Sequence, residues 1–159
     1  MDLTDYIKCK REWIIEKFAS DEDYAAGKSY ERVVIDGNLL LNAGITLFLQ
    51  LLGATAAPTA FSNAAARLGV GDSSTAEAAT QTALQAATNK TYKAMAATYP
   101  QVSAQTISFQ SVFGSADANY TWAEFTVDNG VTALNRKVSA QGTKASGQTW
   151  TLTLNLTFA

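Results

Sequence analysis

The sequence predicts a mainly β protein: an antiparallel β-sandwich or barrel of about seven strands with one buried helix (about 38–53) and a second helix (about 73–87), preceded by a charged N-terminal arm. Three observations lead there. At the C-terminus Trp150, Leu152, Leu154, Leu156 and Phe158 alternate with Thr149, Thr151, Thr153, Asn155 and Thr157. This period of two packs one face on a core and leaves a threonine ladder for water or a partner. Upstream, "TYKAMAA", "QTISFQSVF", "NYTWAEFTVD" and "VTALNRKVSA" are bounded by turn residues, with hairpin signals at Asp128-Asn129-Gly130 and Ser146-Gly147. Charge is also unevenly spread: residues 1–36 hold nine acids and six bases, and the remaining 123 hold five acids and six bases.

That imbalance divides the chain into a charged arm, residues 1–31, and a β-rich body, residues 32–159. In the arm Trp13, Ile14, Ile15 and Phe18 set bulky apolar groups among charges, near the spacing of a short amphipathic helix. Such a helix lies either on its own domain's core or on another subunit. Arg32-Val33-Val34-Ile35 reads as a strand, and Asp36-Gly37-Asn38 as a turn that caps a helix. From Leu39 to Leu52 the chain is apolar nearly all round, so this helix is expected to be buried, with Gly53 as its C-terminal stop. Asn42, Gly44, Thr46 and Gln50 interrupt the run, and no basic cluster flanks it, which argues against a membrane span. Residues 54–64, with Pro58, form a small-residue loop, Arg67 to Val70 a strand, and Thr75 to Ala87 the second helix.

Composition narrows the chemistry. The chain has 159 residues, net charge -2, no histidine and a single cysteine, Cys9. Without histidine there is no Ser-His-Asp or Cys-His nucleophile. One cysteine rules out an intrachain disulfide and a thiolate zinc site. Nucleic acid needs a clustered positive surface, and the longest basic group is Lys8, Lys10 and Arg11. The body is rich in Ala, Thr, Ser, Asn and Gln, a covering suited to a protein packed against neighbours.

The stretch Gly69-Val70-Gly71-Asp72 invites a catalytic reading, but it has neither the lysine of a P-loop nor the third glycine of a dinucleotide fingerprint. Asp72 and Glu77 fit a helix cap and a first-turn acid better than a catalytic pair. The loop Gly114 to Asn119 offers Asp117 and Asn119, too few oxygens for calcium. Arg136 and Lys137 point to opposite faces of one strand. No catalytic residue, cofactor or metal ligand is therefore assigned.

The ordered stretches "IDGNLLLNAGITLFLQLLG", "FSNAAARLGVGDSSTAEAATQTALQ", "NKTYKAMAATYP", "FGSADANYTWAEFTVDNG", "LNRKV" and "GTKASGQTWTLTLNLTF" resemble small structural virion proteins of tailed bacteriophages. The resemblance runs from about Val33 to Phe158. "GVGDSSTAEAATQTALQ" is also similar to the start of tail-collar and tail-fibre modules. The resemblance implies a non-enzymatic role in the virion. A capsid decoration or cement protein, made in the host cytoplasm and placed on the capsid surface, is favoured over a tail, collar or fibre component. Its implied partners are the major capsid protein and copies of itself, as a trimer, with no nucleic acid or membrane. Trp13, Ile14, Ile15 and Phe18 would anchor the arm to a neighbour. A carbohydrate-binding sandwich using Tyr120, Trp122 and Trp150 as stacking platforms is the remaining alternative.

Overall fold

The computed structural model describes residues 8–159. Its first strands are β1 (Cys9–Phe18), β2 (Glu31–Asp36) and β3 (Leu39–Leu40), with the short helix α1 (Asp21–Ala25) between β1 and β2. Helix α2 (Asn42–Leu52) follows, then β4 (Arg67–Gly71), β5 (Lys90–Ala94) and β6 (Gln101–Ser103). The chain closes with β7 (Thr106–Phe113), β8 (Glu124–Asp128), β9 (Asn135–Val138) and β10 (Thr149–Phe158). These strands make two antiparallel sheets of five, ordered β2-β1-β10-β7-β6 and β3-β9-β8-β4-β5. The fold is a sandwich, not a closed barrel, and has ten strands among the described residues where about seven were expected from the turn spacing.

The alternating C-terminal strand lies at the centre of the first sheet. Trp150, Leu152, Leu154 and Leu156 are buried between the sheets with Trp13, Phe113, Trp122 and Phe125. Trp122 meets Trp150 and Phe113 edge-on, each at 4.9 Å, a geometry aromatic quadrupoles favour. On the outer face the threonine ladder is real. Thr157 bonds Thr106 at 2.7 Å, Asn155 accepts from Ser108 at 2.7 Å, and Thr153 accepts from Gln110 at 3.1 Å. The Asp128-Asn129-Gly130 signal makes the β8–β9 hairpin: Gly130 takes φ 85°, and Asn129 Oδ1 accepts from the backbone of Val131 and Thr132.

The N-terminal segment corrects the arm. Residues 9–18 are a strand, not an amphipathic helix, and it lies between β2 and β10, paired with β10 from Cys9↔Phe158 to Phe18↔Thr149. Trp13 and Ile15 are fully buried, and Phe18 is buried edge-on to Tyr24 at 5.3 Å. Ile14 faces outward, half-buried between Val34 and Thr153. The apolar groups at 13, 15 and 18 thus anchor the chain's own core. The division at residue 31 does not hold, because β1 and β2 belong to the same sheet as β10. Charge misled here: much of it sits on the outer face, as in the Lys10–Glu12 pair at 3.0 Å, while on the inward face Trp13 and Ile15 are followed by Lys17, buried with its ammonium 4.5 Å over the Trp150 ring.

The second expected helix is absent. Residues 72–89 instead form a long, irregular connection between the paired strands β4 and β5, folded back over the outer face of the second sheet. Its base is tied by Asp72 and Asn89, with Asn89 Nδ2 donating to Asp72 Oδ2 at 2.7 Å, so Asp72 is not a helix cap. Its middle is held by a buried ion pair, Arg136 with Glu124 at 2.7 Å, both side chains fully enclosed. Glu124 also accepts from the backbone N–H of Gln85 (2.9 Å) and Ala86 (2.7 Å). Arg136 Nη1 donates to the Thr75 carbonyl (2.9 Å) and to Gln81 Oε1 (3.0 Å). The segment's backbone groups are therefore spent on side chains of β8 and β9, which competes with helical hydrogen bonds.

The far end of the sandwich, where β1 ends and β10 begins, carries the remaining polar cluster. Ser20 Oγ caps α1 by accepting from Asp23 N at 3.1 Å. Asp21 accepts from Ser115 Oγ at 2.9 Å and from Thr149 Oγ1. Those two hydroxyls hold the Asp21 carboxyl below its ordinary value of 3.8. A carboxylate depressed in this way contributes stability that is present above pH 3.8 and lost as pH falls through its folded-state value. In acid unfolding, the stability difference between wild type and Asp21→Asn is expected to shrink steadily below pH 3.8. A pH-independent difference would show that this carboxylate does not drive acid sensitivity.

Candidate functional site

The site lies at the opposite end, where Cys9 of β1, Phe158 of β10 and Ile107 of β7 come together under α2. Helix α2 begins at Asn42, four residues later than its expected cap, because Leu39 and Leu40 first pair with Arg136 and Asn135 of β9. No side chain caps it. The N–H groups of Leu41 and Asn42 go to the carbonyls of Leu134 (3.0 Å) and Ala79 (2.8 Å). Gly44 allows that close seat, since a methyl group there would lie 2.7 Å from the Leu134 carbonyl carbon. Gly53 does end the helix, with its N–H on Leu49 O at 2.9 Å.

The helix is not buried, and this is the main correction to its sequence reading. Only Gly44 and Leu47 are buried. Ile45 is 42% exposed, Phe48 45%, Leu49 58% and Leu52 76%. These four fall at i, i+3, i+4 and i+7, one continuous apolar stripe left part-exposed beside the sandwich. The sequence shows apolar residues on both faces, and that pattern cannot say which face finds the protein's own core.

Between helix and sandwich lies a cavity of about 370 Å³. Its walls include Ile45, Phe48, Leu51 and Leu52 from α2, Phe109 and Leu156 from the first sheet, and Cys9. Phe48 stacks on Phe158 at 6.0 Å with planes 8° apart, and Phe61 meets Phe109 edge-on at 6.1 Å. Burial raises the Cys9 thiol above its ordinary value, partly opposed by the Arg11 charge, so it is a poor nucleophile at neutral pH. Among the described residues nothing else that titrates lines the cavity. Along the sequence, no Asp, Glu, Lys or Arg occurs from Gly37 to Ala66, the stretch that carries α2.

The chemistry-bearing residues singled out in the sequence are engaged elsewhere. Gly69 and Gly71 sit within β4, and their missing side chains make room for the Tyr92 ring and the Glu124 carboxylate. They do not turn the strand; they let residues 72–89 lie close to it, with Ala86 Cβ 3.1 Å from where a Gly71 methyl group would be. In the Gly114–Asn119 loop the Gly114 carbonyl and Asn119 Oδ1 accept from Lys144 Nζ at 2.8 and 2.7 Å. An internal ammonium thus fills the place considered for a cation. Lys144 is wholly buried, and burial lowers its pKa. Trp122 and Trp150 are core residues, and the Tyr120 hydroxyl donates to Thr91 Oγ1 at 2.9 Å, so these three form no sugar platform. Arg136, Glu124 and Lys144 were the residues that strand patterning missed. The opposite charges of Glu124 and Arg136 on the two strands of one hairpin were the available signal.

Among the described residues no group of three or more Cys, Asp or Glu side chains could hold a metal ion, and no helix is long and apolar enough to cross a membrane. No family model, curated protein or solved structure matches this chain. The geometry itself marks the candidate site: an apolar surface built on α2 and the cavity beneath it.

Proposed function

We propose that the protein is a non-enzymatic structural component of a tailed-phage virion, a decoration or cement protein that bridges neighbouring capsid subunits. The observation that supports this reading is the exposed apolar stripe of α2 over an apolar cavity, within 30 consecutive residues free of charge, Gly37 to Ala66. A surface of that kind is unfavourable in a free monomer and stabilising in a contact. The ordered resemblance of the body to phage virion proteins supplies the setting. Many such contacts, repeated over a shell, add through multivalency. The similarity of the "GVGDSSTAEAATQTALQ" stretch to collar and fibre modules favours a second reading, a tail, collar or fibre component.

Imaging of purified particles with a copy count separates the two. Hundreds of copies per particle are expected for shell decoration, a dozen or fewer for tail or collar, and none would remove the virion reading altogether. Particles stripped of the protein and incubated with Leu52→Glu are expected to rebind it at least tenfold more weakly than wild type. Removing a largely exposed leucine from a contact and burying a charge in its place costs about 2 kcal/mol or more.

A further inference from the structure

We propose that the cavity under α2 binds a single-chain alkyl carboxylate, its chain among the apolar walls and its head group on Arg11, Asn38 and Lys137. This goes beyond the virion reading and does not rest on it. Leucine, isoleucine and phenylalanine side chains make up the walls, with Cys9 the one exception. An apolar cavity of about 150 Å³ stays dry and takes up benzene. At about 370 Å³ this one has room for a longer apolar group. The walls select an alkyl chain, and the polar groups at their edge select what the chain carries.

Strand register places those groups. Arg11 pairs with Leu156 and lies two residues along β1 from Cys9, and both of these line the cavity. Alternation therefore sets Arg11 on the inward face at the cavity's edge, where its charge acts on the Cys9 thiol. In the second sheet Leu40, another wall residue, pairs with Asn135, and Asn38 lies two residues before it. One step back in that register brings Asn38 opposite Lys137, whose Nζ is 3.9 Å from where a Gly37 methyl group would be. Lys137 pairs with Phe125 of the core, so it too belongs to the inward face. The Gly37 N–H donates to the Arg11 carbonyl at 2.7 Å, which brings the β2–β3 turn against β1.

Arg11 Nε, both amide atoms of Asn38 and Asn135 Nδ2 are enclosed without a hydrogen-bond partner among the described residues. Four of the eight such atoms thus gather at this one edge. Enclosed donors call for an acceptor. Charge says which kind. Among the described residues neither Arg11 nor Lys137 forms an ion pair. The nearest acids in sequence, Glu12 and Asp36, face each other on the outer side of β1 and β2. Two cations and two amide donors beside an apolar recess fit an anion that carries an alkyl chain. A carboxylate matches the planar guanidinium.

The test is titration calorimetry of the full, delipidated chain with sodium dodecanoate below its micelle concentration. Saturable binding of one dodecanoate per chain is expected. Dodecanol and dodecyltrimethylammonium are expected to bind at least tenfold more weakly, and acetate not at all. Arg11→Gln is expected to weaken dodecanoate at least tenfold and leave dodecanol unchanged, because a charge-assisted hydrogen bond is lost while the walls stay. Leu51→Trp, which fills the cavity from α2, is expected to abolish the binding of both. Wild type gives a second readout that no misfolded variant can spoil. Cys9 is the only cysteine and lines the cavity, so dodecanoate, and not acetate, should slow its alkylation by a neutral maleimide at least tenfold. No saturable dodecanoate binding, equal affinity for dodecanol, wild-type affinity in Arg11→Gln, or unslowed alkylation at saturating dodecanoate each overturns the site. Any of these leaves the virion reading standing, since that is decided by copies per particle.

Discussion

A chain lacking residues 1–30 is expected not to fold. The deletion removes β1 from the middle of its sheet, so β10 loses its partner along Cys9↔Phe158 to Phe18↔Thr149 and β2 is left with no neighbour. It also removes Trp13, Ile15 and Phe18 from the core. Burying side chains of this size stabilises by about 2–3 kcal/mol each from transfer alone, and truncating a buried Trp costs about 3–5 kcal/mol once the cavity is counted. Those losses together approach the whole stability of an ordinary domain, about 5–15 kcal/mol. Circular dichroism and limited proteolysis of residues 31–159 are the measurements. A protease-resistant fragment with a cooperative thermal transition would restore the idea of a dispensable arm. Trp13→Ala in the full chain is the graded version, expected to lower stability by about 3–5 kcal/mol in urea unfolding.

Glu124→Ala is expected to cost about 3–5 kcal/mol, because it leaves Arg136 as a buried, uncompensated charge. It also orphans the N–H groups of Gln85 and Ala86, which the carboxylate accepts at 2.9 and 2.7 Å. The effect should be local as well as global. Amide exchange ought to accelerate over residues 72–89, which hang on this pair, more than over β1 or β10. Because both side chains are fully buried, the double change Glu124→Ala with Arg136→Ala should cost clearly less than the sum of the single changes. Additive losses, or unchanged exchange over 72–89, would mean that the pair does not hold the segment. The ion pair specifies where this segment sits more than it adds to net stability, since a buried pair must first repay the desolvation of both ions.

Legibility differed by element. The last strand could be read residue by residue, because strict alternation fixes which side chains face the core whatever the neighbouring strands are. The Asn129-Gly130 turn was legible for the same reason, being a local constraint on φ. Residues 9–18 were misread because charged side chains on the outer face of a sheet look like those of a free segment. Apolar alternation was present only at Trp13 and Ile15, and Lys17 broke it. Residues 73–87 resembled a helix in alanine content, yet Glu124 and Arg136 took their backbone groups. Nothing local in the alanine run announces partners some forty to sixty residues away.

The candidate site divides in the same way. That residues 37–66 are uncharged and that 39–52 are apolar is written in the sequence. Which side of α2 is covered was decided by Gly44 seating against Leu134 and by Leu41 binding its carbonyl, contacts that turn Leu47 inward and leave Ile45, Phe48, Leu49 and Leu52 part-exposed. By itself the sequence determined a mainly β fold, sandwich or barrel, its alternating C-terminal strand, one hairpin turn and an apolar helix. Tertiary structure alone decided the ten-strand pairing, the burial of β1, the pinned segment over the second sheet and the part-exposed stripe. Periodicity and turn chemistry are local and survive in one dimension, whereas burial depends on which distant residues arrive to cover a face.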